Sequence, residues 1–263
     1  MDVAGVGEVT IPKPVLEGCP DIFGRGSILV GYRGSISHNC YIPNRDPNSV
    51  DDKDVMAICV PPIDYYLGYS EAFQANEMFP VKGVREIKSG EWDIVVYDAR
   101  KFIRMLAQGN PNVLVMLWLN QQHYLKVTGA GQLIISNKHL FVGRHVYKSF
   151  SGYAYGQLHR MTHCAFNGHM GEKRKALVDK YGYDCKNAGH LIRLLRMSIE
   201  FLKDGELQVA RPDAQQLLEI KHGEWTLERV LKESDRLFAL AQETYVASTL
   251  PKEPDYKAIN ALC

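Results

Sequence analysis

The sequence predicts an α+β protein in which a strand-bearing first half is followed by a helical second half. Three apolar runs with strand character lie at 28–30, 55–60 and 92–97. Beyond about residue 136 these patterns fade, and long amphipathic helical patterns replace them. We therefore predict a first domain over residues 1–135, with a mixed β-sheet flanked by helices, and a helical domain over residues 136–263.

The first two predicted strands each adjoin a polar segment. The run at 28–30 leads into a glycine-rich turn that ends in Gly34-Ser35, and such a turn exposes backbone amides. The run at 55–60 follows three aspartates within four residues, at positions 51, 52 and 54. Carboxylates this close repel one another unless a cation lies between them. The segment before the second strand is therefore a candidate cation site.

The third strand and the helices complete the predicted order. The strand at 92–97 precedes a helix over 98–107, which Gly109-Asn110-Pro111 ends. A further amphipathic helix is predicted over 113–119. In the second half we predict helices over these ranges: 139–166, 171–181, 185–204, with Asp184 as N-cap, and 227–249, with Thr226 as N-cap.

Composition and charge limit the classes of function. The chain has 263 residues, 46% of them hydrophobic, and a net charge of +1, which indicates no general affinity for nucleic acid. Six cysteines without a CxxC pair are typical of reduced thiols in a cytosolic protein. No stretch approaches the roughly 20 apolar residues of a membrane span, and the first residues lack a secretory signal pattern. We expect a cytoplasmic protein with no membrane partner.

The acidic cluster has the residue types of a magnesium or manganese site. In an extended segment alternate side chains share a face, so Asp52 and Asp54 are predicted to project together. Asp51 takes the other face, where we expect it to cap a turn or face solvent. Asp93 opens the third strand, and if that strand is a neighbour its carboxylate completes a three-aspartate site. Oxygen ligands of this kind suit Mg²⁺ or Mn²⁺ better than zinc.

The turn before the acidic cluster has the features of a phosphate site. Gly34 allows a close backbone approach, and the amides that follow Ser35 favour anions. Arg33 adds positive charge nearby. A phosphate-binding turn beside paired carboxylates is what the movement of a nucleoside monophosphate requires.

The order Gly34-Ser35, Asp52-x-Asp54 and Asp93 resembles the nucleotidyltransferase superfamily related to DNA polymerase beta. Further stretches resemble its subgroup of RNA-repair-pathway, DNA polymerase beta-like nucleotidyltransferases, over about residue 26 to the end. These stretches are DARKFIRMLAQGNPNVL (98–114), GYAYGQLHRM (152–161), KYGYDCKNAGHLIRLLRM (180–197) and LPKEPDY (250–256).

The resemblance implies an NTP donor and a divalent metal, Mg²⁺ or Mn²⁺. It implies that Asp52 and Asp54 ligate two ions, while Asp93 ligates the catalytic ion and helps activate the acceptor hydroxyl. Gly34 and Ser35 are implied to bind the β and γ phosphates. The implied activity is NMP transfer to an acceptor hydroxyl, for which an RNA 3′ end, such as that of tRNA, is the leading expectation. Protein hydroxyls are the main alternative, and a non-catalytic NTP-binding module is the other.

One face of the helix after Asp184 carries polar groups. Lys186, His190 and Arg193 fall at i, i+4 and i+7, so they share that face. We predict that they reach donor phosphates across the cleft, and that Tyr183, together with Tyr181, stacks on a base. The alternative is an ordinary solvated helix face.

A second polar cluster allows three interpretations. His159 and His163 lie one helical turn apart near Cys164 and His169, but no fourth ligand has the spacing of a structural zinc site. Aromatic and basic residues alternate over 144–160, which fits single-stranded nucleic acid and an interdomain interface equally well.

Overall fold

The structure, a computed structural model, describes residues 26–68, 83–162 and 171–263. Its centre is a five-stranded mixed sheet with the spatial order β3-β4-β2-β1-β5. The strands are β1 (Ser27–Tyr32), β2 (Lys53–Cys59), β3 (Val84–Ser89), β4 (Trp92–Asp98) and β5 (Tyr124–Val127).

Helices of the described ranges pack against one face of this sheet and extend beyond it, whereas Ile36 of the first short helix packs against the other face. They are α1 (Gly34–Ser37), α2 (Ile63–Leu67), α3 (Ala99–Ala107), α4 (Pro111–Leu114), α5 (Gly129–Ser136), α6 (Val146–Thr162), α7 (Glu172–Tyr181), α8 (Cys185–Asp204), α9 (Ala214–Lys221), α10 (Leu227–Ala247) and α11 (Tyr256–Leu262). Short 3₁₀ turns lie at Val115–Leu117, Gln121–His123 and Lys138–Phe141.

Strand pairing determines which polar residues meet. β2 and β4 run parallel, whereas β1 pairs antiparallel with both β2 and β5, and β3 pairs antiparallel with β4. The register of the parallel pair sets Asp54 directly beside Asp93, at the start of both strands. A strand pair therefore brings together two carboxylates that are far apart in sequence.

The helix boundaries follow from local capping. The Asp98 side chain accepts a hydrogen bond from the backbone N of Lys101 at 2.8 Å and so begins α3. Asp184 caps α8 and Thr226 caps α10 in the same way, which confirms both predicted N-caps. Gly205 ends α8 in the left-handed conformation, with a φ of +79°.

The core joins the sheet to the helices. Met56, Ile58 and Val95 point from one face of the sheet into a cluster that includes the buried face of α8. The opposite face carries a smaller cluster that includes Val55 and Ile94. Because strand residues alternate, Asp54 and Asp93 lie on the same face as Met56 and Val95, toward the helices.

Several predicted elements differ in the structure. β3 and β5 were not predicted, because their sequences lack long apolar runs. The helix expected over 113–119 is instead α4 followed by a 3₁₀ turn, and the helix expected from residue 139 begins at Val146. Within the described ranges, no helix is both long enough and apolar enough to cross a membrane.

Candidate active site

The site begins with the contact between Gly34 and Asp54. Gly34 has a φ of +63°, and a Cβ at this position would overlap the Asp54 carboxylate. The backbone N of Arg33 donates to the carbonyl of Asp54 at 3.0 Å, which fixes the turn against β2. Glycine is therefore required here both for the left-handed backbone and for the close approach of the carboxylate.

Arg33 lies between the two neighbouring carboxylates. Its Nη2 is 3.5 Å from Oδ1 of Asp54 and 3.6 Å from Oδ2 of Asp93. Burial raises the pKa of Asp54 to about 6, with a further contribution from the Asp93 charge, while Arg33 acts in the opposite direction. The two carboxylates are thus held close together, with the guanidinium of Arg33 between them.

The pair fits a single divalent ion. Asp54 and Asp93 supply oxygen ligands, and the position of the Arg33 guanidinium shows that the site attracts positive charge. Asp52, in contrast, is exposed and precedes β2. Among the residues that the structure describes, no three acidic, histidine or cysteine side chains converge on one point, so the predicted three-aspartate arrangement is not assembled.

Of the two expectations for Asp51, exposure to solvent was wrong, because its side chain is buried. It is 2% exposed and accepts a hydrogen bond from the backbone N of Ile42 at 3.0 Å. Nζ of Lys221 on α9 donates to the same carboxylate and also to the carbonyl of Cys40 at 2.6 Å. Asp51 therefore links the segment before β2 to the helical half.

A cavity of about 230 Å³ separates the Gly34-Ser35 turn from the helices. Of the predicted residues, it brings together Gly34, Ser35, Asp54, His190 and Arg193. The other lining residues are Arg33, His38, Cys40, Pro111, Asn112, Val115, Gln157, Gly189, Leu194, Leu217 and Lys221.

The helical wall of the cavity carries positive charge. None of the described carboxylates forms an ion pair with Arg193, whose Nη1 has only the sulfur of Met197 at 3.3 Å. Burial lowers the pKa of Arg193 to about 10, so the side chain is still cationic near pH 7. Burial and the neighbouring Arg193 lower the pKa of His190 well below its ordinary value, so this histidine is neutral. An anion in the cavity would satisfy Arg193.

Among the described residues, two buried side-chain oxygen atoms of the cavity wall have no hydrogen-bond partner, as is also true of Nε of Arg33. The two oxygen atoms are Oγ of Ser35 and Oε1 of Gln157. Gln157 is only 9% exposed, and an unpaired polar atom at such a buried position costs free energy. Both atoms are available to a ligand in the cavity.

Lys186 and Tyr183 lie elsewhere. Nζ of Lys186 donates to the carbonyl of Val50 at 2.6 Å and lies 3.7 Å from Oδ1 of Asp51, outside the cavity wall. Tyr183 is 3% exposed, and its hydroxyl donates to the carbonyl of Trp225 at 2.6 Å. The prediction that Tyr183 stacks on a base is therefore corrected, because the ring is part of the core.

The sequence did not single out His38, Gln157 and Lys221, which the fold places in the cavity wall. Their elements are far apart in the chain, so no local spacing indicates that they meet. Of the histidine and cysteine cluster, His159 lies on the exposed side of α6, and residues 163, 164 and 169 lie outside the described ranges.

The glycine turn against a strand carboxylate, the neighbouring strand carboxylate and the helical wall define the class: a nucleotidyltransferase-like protein. Residues 46–263 match the model of the RNA repair pathway DNA polymerase beta family, RlaP, and the chain belongs to that family. No curated protein matches the chain.

Solved structures that are similar to this chain include the following two. A nucleotidyltransferase-like protein from Exiguobacterium sibiricum 255-15 is 10% identical, with a TM-score of 0.27, and the match covers 84% of this chain and 69% of that one. The CD-NTase CdnG of Bradyrhizobium diazoefficiens, solved in complex with GTP, is 11% identical, with a TM-score of 0.24, and the match covers 95% of this chain and 88% of that one.

Proposed function

We propose that this protein transfers a nucleoside monophosphate from an NTP to the 3′ hydroxyl of an RNA and releases pyrophosphate, with Mg²⁺ or Mn²⁺ as cofactor. The observation that carries the proposal is the Asp54 and Asp93 pair, set in register beside the Gly34-Ser35 turn and next to a cavity that contains an unpaired arginine. The family's link to RNA repair supports RNA as the acceptor.

Asp54 and Asp93 are the residues that would hold the metal ion. A bound ion would polarise the reacting phosphate and lower the pKa of the acceptor hydroxyl. Asp93 would also orient that hydroxyl toward the α-phosphate. Asp52, exposed just before β2, is the third carboxylate that the family resemblance implies; it lies outside the proposed pair, and its contribution is tested separately below.

The cavity would hold the donor. The backbone amides and the free hydroxyl of Ser35 face a triphosphate from the sheet side, and Arg193 faces it from α8 with its planar set of donors. His190, which is neutral, would add a hydrogen bond rather than a charge. Groups on both walls of the cavity would thus stabilise the negative charge of the triphosphate.

The test is transfer of label from each of four α-³²P-labelled NTPs, with Mg²⁺ or Mn²⁺, to total RNA and total protein in parallel. The variants are Asp54→Asn, Asp93→Asn and Asp52→Asn, and Asp235→Asn is the matched control, since Asp235 is exposed on α10. We expect label in RNA that falls at least about 100-fold in the first two variants and is unchanged in the control.

The remaining outcomes decide between the alternatives. Label in protein that depends on Asp54 and Asp93 would replace the RNA acceptor by a protein hydroxyl. Absence of label, with NTP binding retained, would favour a non-catalytic nucleotide-binding module. Full activity of Asp52→Asn would restrict the metal site to the pair seen in the structure.

A further inference from the structure

The positive charge of this nearly neutral chain is concentrated in one segment. From Ala99 to Gly171 the sequence contains eight lysines and arginines and neither aspartate nor glutamate. Since the whole chain carries +1, the remainder carries −7. This segment is therefore a local basic region, which the nearly neutral net charge of the whole chain does not reveal.

Part of this region forms one surface on α3 and α6. Oγ of Ser149 on α6 donates to the carbonyl of Gln108, just after α3, at 2.8 Å. Nδ2 of Asn110 donates to the hydroxyl of Tyr153 on α6 at 2.9 Å. These two contacts join α6 to the segment that follows α3, and Arg104 is exposed on α3 one helical turn before Gln108.

The exposed side of α6 has the shape of a shallow trough. Tyr153 and Tyr155 lie at its two edges and are 36% and 59% exposed. Gly152 and Gly156 lie between them: a Cβ at Gly152 would meet nothing within 4 Å, and one at Gly156 would meet only the guanidinium of Arg160. Glycine in a helix costs about 1 kcal/mol relative to alanine, and internal packing does not require it at either position.

The charged groups of the trough are available to a partner. Lys148 and Arg160 are exposed on α6, and Arg100 and Arg104 are exposed on α3. Within the described parts of the chain, none of these four forms an ion pair. The ring of Tyr155 stacks on Phe238 at 4.4 Å between centroids, so it is a rigid aromatic platform.

The trough continues into the active-site cavity. Gln157, one helical turn from Tyr153, lines the cavity with its unpartnered Oε1, and Asn112 lines it from α4. Burial raises the pKa of Tyr97 on β4, the strand that carries Asp93, and the nearby Tyr153 adds to this increase. A chain bound along the trough would therefore end near the two carboxylates.

We propose that this trough on α6, together with the exposed arginines of α3, binds the single-stranded RNA acceptor and directs its 3′ end into the cavity; the inference rests on the proposed function. The absence of acids fits a polyanion, and the two tyrosines fit stacking on unpaired bases. The glycines fit close approach of a nucleic-acid backbone or base to the helix. An acidic protein could pair with the lysines and arginines, but it has no bases to stack on the two tyrosines.

The test is fluorescence anisotropy of the full chain with a fluorescein-labelled single-stranded RNA of about 12 nucleotides, measured over a series of salt concentrations. Lys148→Gln/Arg160→Gln should weaken binding about 10-fold at low salt and make the slope of log K against log salt shallower by about 1.4. Lys175→Gln/Lys232→Gln removes the same charge outside the segment and should leave both quantities unchanged.

A second variant separates binding from folding. Gly152→Gln/Gly156→Gln fills the trough with good helix formers, so we expect an equal or higher Tm together with weaker RNA binding. Equal effects of the Lys148/Arg160 pair and the Lys175/Lys232 pair, or unchanged RNA affinity of the glycine variant, would overturn the proposal. If RNA does not bind but labelled NMP is transferred to protein, the trough is not an RNA-binding site, whereas nucleotidyl transfer by this protein is still supported.

Discussion

Arg33, Gly34 and Asp54 show how single residues set the chemistry of this site. Gly34 lets the carboxylate of Asp54 lie against the turn backbone, and Arg33 supplies the positive charge beside it. Each has a role that its neighbours in sequence cannot take over. Two predictions follow at this scale.

Gly34→Ala should abolish transfer and destabilise the fold by about 1 to 2 kcal/mol, because the new Cβ meets both a left-handed backbone and the Asp54 carboxylate. Gly90→Ala is the matched control, since Gly90 also has a positive φ, +57°, but a Cβ there would meet nothing within 4 Å. Urea unfolding and the labelling assay measure the two effects. Transfer retained in Gly34→Ala would show that the close approach is unnecessary.

Arg33→Gln should strengthen Mn²⁺ binding in the absence of nucleotide, because it removes the cation that now lies between Asp54 and Asp93. Mn²⁺ titration followed by electron paramagnetic resonance gives the Kd, and we expect a decrease of at least about 10-fold, or 1.4 kcal/mol. Arg45→Gln, at an exposed position, should have no effect. Weaker Mn²⁺ binding by Arg33→Gln would instead show that Arg33 holds the carboxylates in position.

At the scale of elements, the segment before β2 is attached to two helices through one buried carboxylate. The carboxylate of Asp51 forms an ion pair with Lys221 of α9, and Nζ of Lys186 on α8 lies 3.7 Å from Oδ1 of Asp51. The strand that carries Asp54 is thereby tied to the helical wall of the cavity. This attachment is a buried ion pair, whose loss on one side leaves an uncompensated charge.

Asp51→Asn should therefore destabilise the protein by roughly 3 kcal/mol, and Asp51→Asn/Lys221→Met should cost less than the sum of the two single changes. Lys138→Gln breaks the more exposed pair with Glu206 and should cost less than about 1 kcal/mol. Denaturant unfolding of all four variants gives the comparison. Strict additivity of the double variant would argue that the two side chains act independently.

At the scale of the whole molecule, buried neutral histidines make stability depend on pH. Burial lowers the pKa of His38 and His190 well below the ordinary value, and it also lowers the pKa of His123 and His145. The unfolded chain takes up protons near pH 6.5 that the folded chain does not, so stability is lost as the pH falls.

Between pH 7.5 and 6.0, His38 and His190 should each lower the free energy of unfolding by about 0.8 kcal/mol, because the pKa of each lies well below its ordinary value in the folded chain. His38→Asn should remove the contribution of His38 to this pH-dependent loss of stability, because asparagine can keep the hydrogen bond to the carbonyl of Val209 but does not titrate. Asp54, whose pKa is about 6 in the folded chain, takes up a proton there before it does so in the unfolded chain. Its protonation therefore stabilises the folded chain as the pH falls, which opposes the effect of the histidines near and below pH 6. Equal pH profiles of the wild type and His38→Asn would contradict this account.

Much of the fold was predictable because its signals are local. The strands near Val55 and Ile94, the helix after Asp98 and the caps at Asp184 and Thr226 follow from short patterns of apolar and capping residues. β3 and β5 escaped prediction, because a short or partly exposed strand gains its stability from its neighbours.

The sequence by itself determined the class of fold, the Gly34-Ser35 turn and the candidate carboxylates, since residue types and periodicity are local properties. Only the tertiary structure decided which of them meet. The parallel register pairs Asp54 with Asp93, while Asp52 remains exposed and Asp51 is buried against Lys221. Such pairings depend on long-range packing between strands and helices, which no spacing along the chain encodes.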